Sequence, residues 1–197
     1  MTAFRSVLIV LIVVLVGAFT WLSFQWSRTA SSGAEKPFGV AFQLVDHHGA
    51  PITEAAFQGK PTALFFGFTH CPDVCPTTLF ELDDWMRKAD PGGDRLRAFM
   101  VTVDPERDTH DMLGDYISNV SDRIVGISGD PEKVRAMARG YKVYFKKVPT
   151  DTNDPDGDYV MDHTASVFLL DNDGRFRGTI AYGENGDVAV KKLRNLL

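Results

Sequence analysis

In Thr62-Ala63-Leu64-Phe65-Phe66-Gly67-Phe68-Thr69-His70-Cys71-Pro72-Asp73-Val74-Cys75-Pro76 an apolar, aromatic-rich run meets two cysteines and two prolines. Thr62 to Phe68 follows Gly59-Lys60-Pro61 and is almost continuously apolar, the pattern of a strand buried on both faces. It is therefore expected to be a central strand. Pro76 has no backbone N–H to lose in a first helical turn, and Leu79, Leu82 and Met86 recur after it at helical spacing. A helix should follow the cysteines directly. Its N-terminus presents partial positive charge and free N–H groups, which favour thiolate over thiol at Cys71 and Cys75. Phe65, Phe66 and Phe68 read as core rather than as contacts to a cofactor.

Downstream, Leu96 to Val103 repeats the buried-strand pattern, and Leu113, Tyr116, Ile117 and Val120 mark an amphipathic helix capped by Asp108 or Thr109. Ile124 to Ile127 is a short strand. Asp130-Pro131 then opens a helix with Val134, Met137, Ala138 and Tyr141 on one face. Ser166 to Leu170 and Arg175 to Tyr182 flank the polar turn Asp171-Asn172-Asp173-Gly174 and read as an antiparallel hairpin, and a short helix from about Val188 closes the chain. Upstream, Val40 to Val45 with the turn His47-His48-Gly49 is consistent with a short N-terminal hairpin. This alternation gives an α/β domain with a central mixed β-sheet flanked by helices. Two cysteines between the first buried strand and its helix are in the order of a thioredoxin-like fold.

Val7 to Leu22, extended through Phe24, has the apolar character and the length, roughly 20 residues, that cross a bilayer. Trp21, Phe24 and Trp26 stand at its exit, where aromatic rings favour the headgroup region, and no A-x-A-like site follows closely. An uncleaved N-terminal transmembrane anchor over residues 1–26 is expected, then a flexible tether over 27–36 and one folded domain over 37–197. The stretch before Val7 does not read as an organelle transit peptide, so the expected location is a bacterial inner membrane, single-pass, with the soluble domain in the periplasm. The 197 residues are 44% hydrophobic and 24% charged with a net charge of −5, which gives nucleic acid no electrostatic footprint.

Two closely spaced cysteines cannot build a multi-bridge scaffold and point to a site of chemistry, although a buried apolar pair or a structural disulfide fits the residues too. Two thiolates suit a soft ion, and an imidazole would complete a three-ligand set that copper accepts. Of the five histidines, His47 and His48 fall in a turn and His110 at a helix start, where exposure is the default. His70 adjoins Cys71 but can point away from it. His163, in Met161-Asp162-His163-Thr164, is expected in a loop before a late strand, and spacing alone does not separate it from a structural histidine. Asp104 to Asp108 reads as capping at a strand's carboxyl end. Asp73 and Asp162 are placed either to orient ligands or simply in solvent. Asp151, Asp154, Asp156 and Asp158 lack the spacing and closing Glu of a calcium loop.

Three separated segments carry a resemblance: Phe66 to Pro76, then Val103-Asp104-Pro105-Glu106-Arg107-Asp108-Thr109, then Asp162-His163-Thr164. Together, over Val40 to Asn195, the chain resembles the Sco/SenC family. The resemblance implies a thioredoxin-like domain tethered to an inner membrane, binding Cu(I) and Cu(II) through Cys71, Cys75 and His163. It also implies a role in assembling the CuA centre of cytochrome c oxidase. Partners would then be the CuA-bearing oxidase subunit and a copper carrier or thiol reductant. Cys71 and Cys75 serve equally as a redox pair if the chain instead reduces the cysteines of that CuA site. A peroxidase reading has only the fold and a reactive thiol behind it.

Overall fold

The structure, a computed structural model, describes residues 2–31, 36–154 and 157–197, with side chains in the first helix described at residues 6 and 11–24. The chain divides into two units, Met1–Lys36 and Pro37–Leu197. The first holds one helix, α1 (Thr2–Ser31), which continues beyond Trp26 into the stretch expected as tether. The side chains of Val7 to Val10, in the expected anchor, lie outside the described residues. Among the described residues no helix is long and apolar enough to cross a membrane.

The second unit is built on a seven-stranded mixed sheet. Strands β1 (Gln43–Asp46) and β2 (Pro51–Thr53) form the N-terminal hairpin, and β3 (Thr62–Gly67), β4 (Arg97–Thr102) and β5 (Ile124–Ser128) are its parallel core. Helix α2 (Val74–Ala89) links β3 to β4, α3 (His110–Ser118) links β4 to β5, and α4 (Pro131–Gly140) follows β5. A separate two-stranded ribbon, β6 (Phe145–Pro149) with β7 (Tyr159–His163), precedes the hairpin β8 (Val167–Leu170) and β9 (Phe176–Ile180), and α5 (Gly186–Arg194) ends the unit. The sheet order is β2-β1-β5-β4-β3-β8-β9, with β8 antiparallel to β3. The class expected from the alternation of strands and helices, a central mixed sheet with flanking helices, is what forms.

Every residue of β3 is buried, because it pairs with a neighbour on each side and is covered on both faces. Leu79, Leu82, Trp85 and Met86 bury one stripe of α2 against this core. Of two local expectations, the cap of α3 narrows to one of its two candidates and the setting of His163 needs correction. Thr109 caps α3, its side chain accepting from the Met112 N–H, whereas Asp108 points into the domain. The β6–β7 ribbon was not foreseen, and His163 therefore ends a strand rather than lying in a loop.

This topology gathers the three segments that carry the chemistry. Parallel pairing sets Gly67 beside Thr102, so the loops after β3 and β4 leave the sheet at the same edge. Strand β8 runs antiparallel to β3, and the residues before Val167 descend to that edge as well.

Candidate metal centre

Cys71 and Cys75 lie where β3 hands over to α2. Gly67 makes this approach possible: a Cβ there would stand 2.6 Å from the Phe65 ring and 3.1 Å from the Cys75 sulfur. Both cysteines are free thiols, Cys75 buried and Cys71 partly exposed. Asp73 occupies the N-cap position of α2 without a side-chain capping bond. A sulfur replaces it, as the Cys75 N–H donates to Cys71 Sγ at 3.3 Å. One of the helix's unpaired first-turn donors is thereby satisfied by an atom that carries negative charge well.

The two thiols are driven apart in acidity. Cys71 is lowered to about 5, chiefly because the Cys75 thiol donates to it, with help from the Asp73 and Cys75 N–H groups. Cys75 is pushed far above its ordinary value, first by that same bond and then by burial. Cys71 is thus the thiolate at neutral pH and Cys75 the thiol. Iodoacetamide should alkylate Cys71 first in the metal-free chain. Its rate should be flat above about pH 6 and fall as protonation overtakes the sulfur near pH 5, because only the thiolate attacks. Mass spectrometry of the two peptides reads this, and a Cys71 rate still climbing between pH 7 and 9 would contradict it.

His163 reaches this site from β7. Its Nε2 lies 3.5 Å from Cys75 Sγ, while Nδ1 lies 3.1 Å from the Thr164 carbonyl oxygen. A carbonyl only accepts, so in the neutral ring Nδ1 carries the proton and Nε2 turns its lone pair to the sulfur. Phe65 and Phe68 meet the imidazole edge to face, with centroids at 6.1 and 5.7 Å. They are core residues as expected, and they also wall the ring in.

The remaining candidates separate clearly. His47 Nδ1 accepts from the Gly126 N–H at 2.8 Å, so His47 is partnered within the fold rather than left in solvent, and burial lowers its pKa. The His48 ring lies beside it at a tilt of 44°, and His110 stands against Asp111. His70, half exposed, contacts the Thr69 hydroxyl. Asp73 accepts from the Thr77 hydroxyl, and Asp162 is exposed on the outer face of β7. Asp151 bonds within its own loop, Asp154 accepts locally through its backbone, and Asp158 meets Arg107. Asp156 lies outside the described residues. Among the described residues no group of three or more His, Cys, Asp and Glu side chains is already gathered to hold a metal ion.

Asp108 is the residue whose importance sequence reasoning missed. Fully buried, it accepts from the Thr69 N–H at 3.0 Å, the Thr69 hydroxyl at 2.6 Å and the Thr102 hydroxyl at 2.6 Å. It ties the loop that carries the cysteines to the end of β4. A carboxylate in Asp-x-x-x-Asp after a buried strand was the available signal, but it reads equally as a cap.

Residues 30–197 match the SCO1/SenC family. The mouse mitochondrial SCO2 homolog is 34% identical over 175 residues, covering 86% of this chain and 68% of that protein. Yeast mitochondrial SCO2 is 35% identical over 157 residues, covering 79% of this chain. The chain spans about half, 52%, of the yeast protein's length. Bradyrhizobium japonicum ScoI, whose structure has copper bound, superposes with a TM-score of 0.73 at 43% identity, covering 81% of this chain and 99% of that one. The match runs across more than four-fifths of the chain, in sequence and in fold, and includes the strand, cysteine loop and helix described above; the chain belongs to the SCO1/SenC family.

Proposed function

We propose that this protein is a membrane-anchored copper carrier serving assembly of the CuA centre of cytochrome c oxidase, with Cys71, Cys75 and His163 as the ligands of its cargo. The observation that carries this reading is the 3.5 Å approach of His163 Nε2 to Cys75 Sγ, with Nδ1 tied back so that the lone pair faces the sulfur. Two sulfurs and one imidazole fit the ion's chemistry. Thiolates favour Cu(I) in low coordination and imidazole accepts Cu(II), so one set serves both states. Cys71, already the better anion and partly exposed, is the sulfur a partner's thiolate can displace first. Release by ligand exchange avoids free aqueous copper.

Anchoring to a bacterial inner membrane, with the domain in the periplasm, is supported by α1. All its described side chains from 11 to 24 are exposed, including Leu11, Val13, Phe19, Trp21 and Leu22. The described stretch from 11 to 24 is predominantly apolar, a composition that suits an apolar surrounding.

The full chain in detergent should take up one copper ion. His163→Ala should weaken Cu(II) binding by about 100-fold, the loss of one ligand of three, with a smaller effect on Cu(I). Unchanged Cu(II) affinity in that variant would remove His163 from the set. The second reading, reduction of the CuA-site cysteines, is favoured by the depressed Cys71 thiol beside a protonated Cys75. There the Cys71 thiolate attacks a partner disulfide and expels one partner thiolate. Cys75 then displaces the other, its proton passing to a released partner sulfur, leaving a Cys71–Cys75 disulfide and a partner reduced by two electrons.

A further inference from the structure

His163 stands on a ribbon that shares no strand pairing with the main sheet. Something other than the ladder must therefore fix where its ring stands. Along β7 the side chains alternate: Val160 and Asp162 are exposed, while Tyr159, Met161 and His163 turn to the domain. Met161 is buried in the core and gives the ribbon its apolar footing. Tyr159 marks the opposite end of the strand, on the same face as His163.

Tyr159 is gripped on several sides. Its hydroxyl donates to Asp104 Oδ1 at 2.8 Å, and its carbonyl accepts from Arg107 Nη1 at 3.0 Å. The Arg107 guanidinium lies 3.8 Å from the ring centroid, and Lys147 Nζ from β6 lies 4.4 Å from it. Arg107 Nε in turn donates to Asp104 Oδ2, and Asp104 is buried. Glu106 receives Lys147 and Arg135, so the same loop holds β6 as well. Asp104, Glu106 and Arg107 belong to the turn whose Asp108 holds Thr69, two residues before Cys71. One segment of five residues, Asp104 to Asp108, grips both halves of the site.

We propose that this loop between β4 and α3 is a positioning bracket, its Asp108 arm holding the cysteine loop and its Asp104–Arg107 arm holding Tyr159, so that together they set the place of His163 against Cys75. The proposal rests on the reading of Cys71, Cys75 and His163 as the copper ligands. Asp104, Arg107 and Tyr159 are positioning residues, since they act through the strand and touch none of the three.

The test uses the full chain in detergent with Tyr159→Phe and Arg107→Gln, each checked for an unchanged far-UV spectrum. In the metal-free protein, the side-chain NMR signals of His163 should shift in both variants, while amides of β3, β4 and β5 stay in place. With copper, Cu(II) affinity should fall about 10-fold or more, the usual cost of losing a group that orients a ligand, and Cu(I) affinity should change less than about 3-fold. The Cu(II) sulfur-to-metal absorption should move as well. Unshifted His163 signals in the metal-free variants overturn the bracket, as does an equal fall for both copper states. Should the wild-type chain bind no copper, the ligand reading fails while the metal-free spectra still decide the bracket. Where a variant's far-UV spectrum does change, Tyr159→Trp, which keeps a ring for the two cations but lacks the phenol, takes its place under the same criteria.

Discussion

Cys71→Ser should lower copper affinity on the order of 10²–10³-fold, since each donor of a small thiolate site supplies about 3–4 kcal/mol. Serine keeps the size of the side chain but replaces a soft anion by a hard, protonated hydroxyl. The loss should exceed that of His163→Ala for Cu(I), because the monovalent ion depends more on sulfur than on imidazole. The Cu(II) charge-transfer absorption should collapse too, as Cys71 is the site's better anion. Competition titrations against a Cu(I) chelator, run beside the absorption spectrum, read both effects. A Cys71→Ser chain that kept wild-type affinity in both oxidation states would end the proposed ligand set. A chain that lost only disulfide reduction while keeping copper would move the function to the redox reading.

The largest effect on stability should come from Asp108→Ala. That carboxylate is the acceptor for three donors, the Thr69 N–H and the Thr69 and Thr102 hydroxyls. Removing it strips the buried Thr102 hydroxyl and the half-buried Thr69 N–H of their acceptor, at about 1–3 kcal/mol each, so a total of about 4 kcal/mol is expected. For a chain of this size that corresponds to a fall in Tm of about 10 °C. Asp108→Asn should cost roughly half as much, because its amide oxygen still accepts while its NH₂ faces a donor. Thermal unfolding followed by near-UV circular dichroism distinguishes the two. A loss below about 1 kcal/mol in Asp108→Ala would mean that water replaces the carboxylate without penalty, and that Asp108 does not hold the cysteine loop.

Both predictions concern the same sheet edge, and they differ in how legible their residues are in the chain. Cys71 announces itself through local chemistry: a buried strand, a helix start and a second thiol four residues on. Asp108 is seen only once β3 and β4 are paired, because its partners are Thr69 and Thr102 and not its own helix.

Local pattern alone determined the α/β class, the strands β3, β4 and β5 and the helices after them, because hydrophobic period, proline position and capping residues act over a few residues of chain. The same short range placed the cysteines at a helix N-terminus, and three separated motifs identified the family. Tertiary structure alone decided that His163 meets Cys75, that Asp104 to Asp108 braces both, and that β6 and β7 form a ribbon. Phe145-Lys146-Lys147-Val148-Pro149 has three exposed residues and so gives little apolar period to read. Its pairing with Tyr159–His163 depends on contacts across a long loop, and such contacts are set by what the folded sheet brings near rather than by neighbours in the sequence.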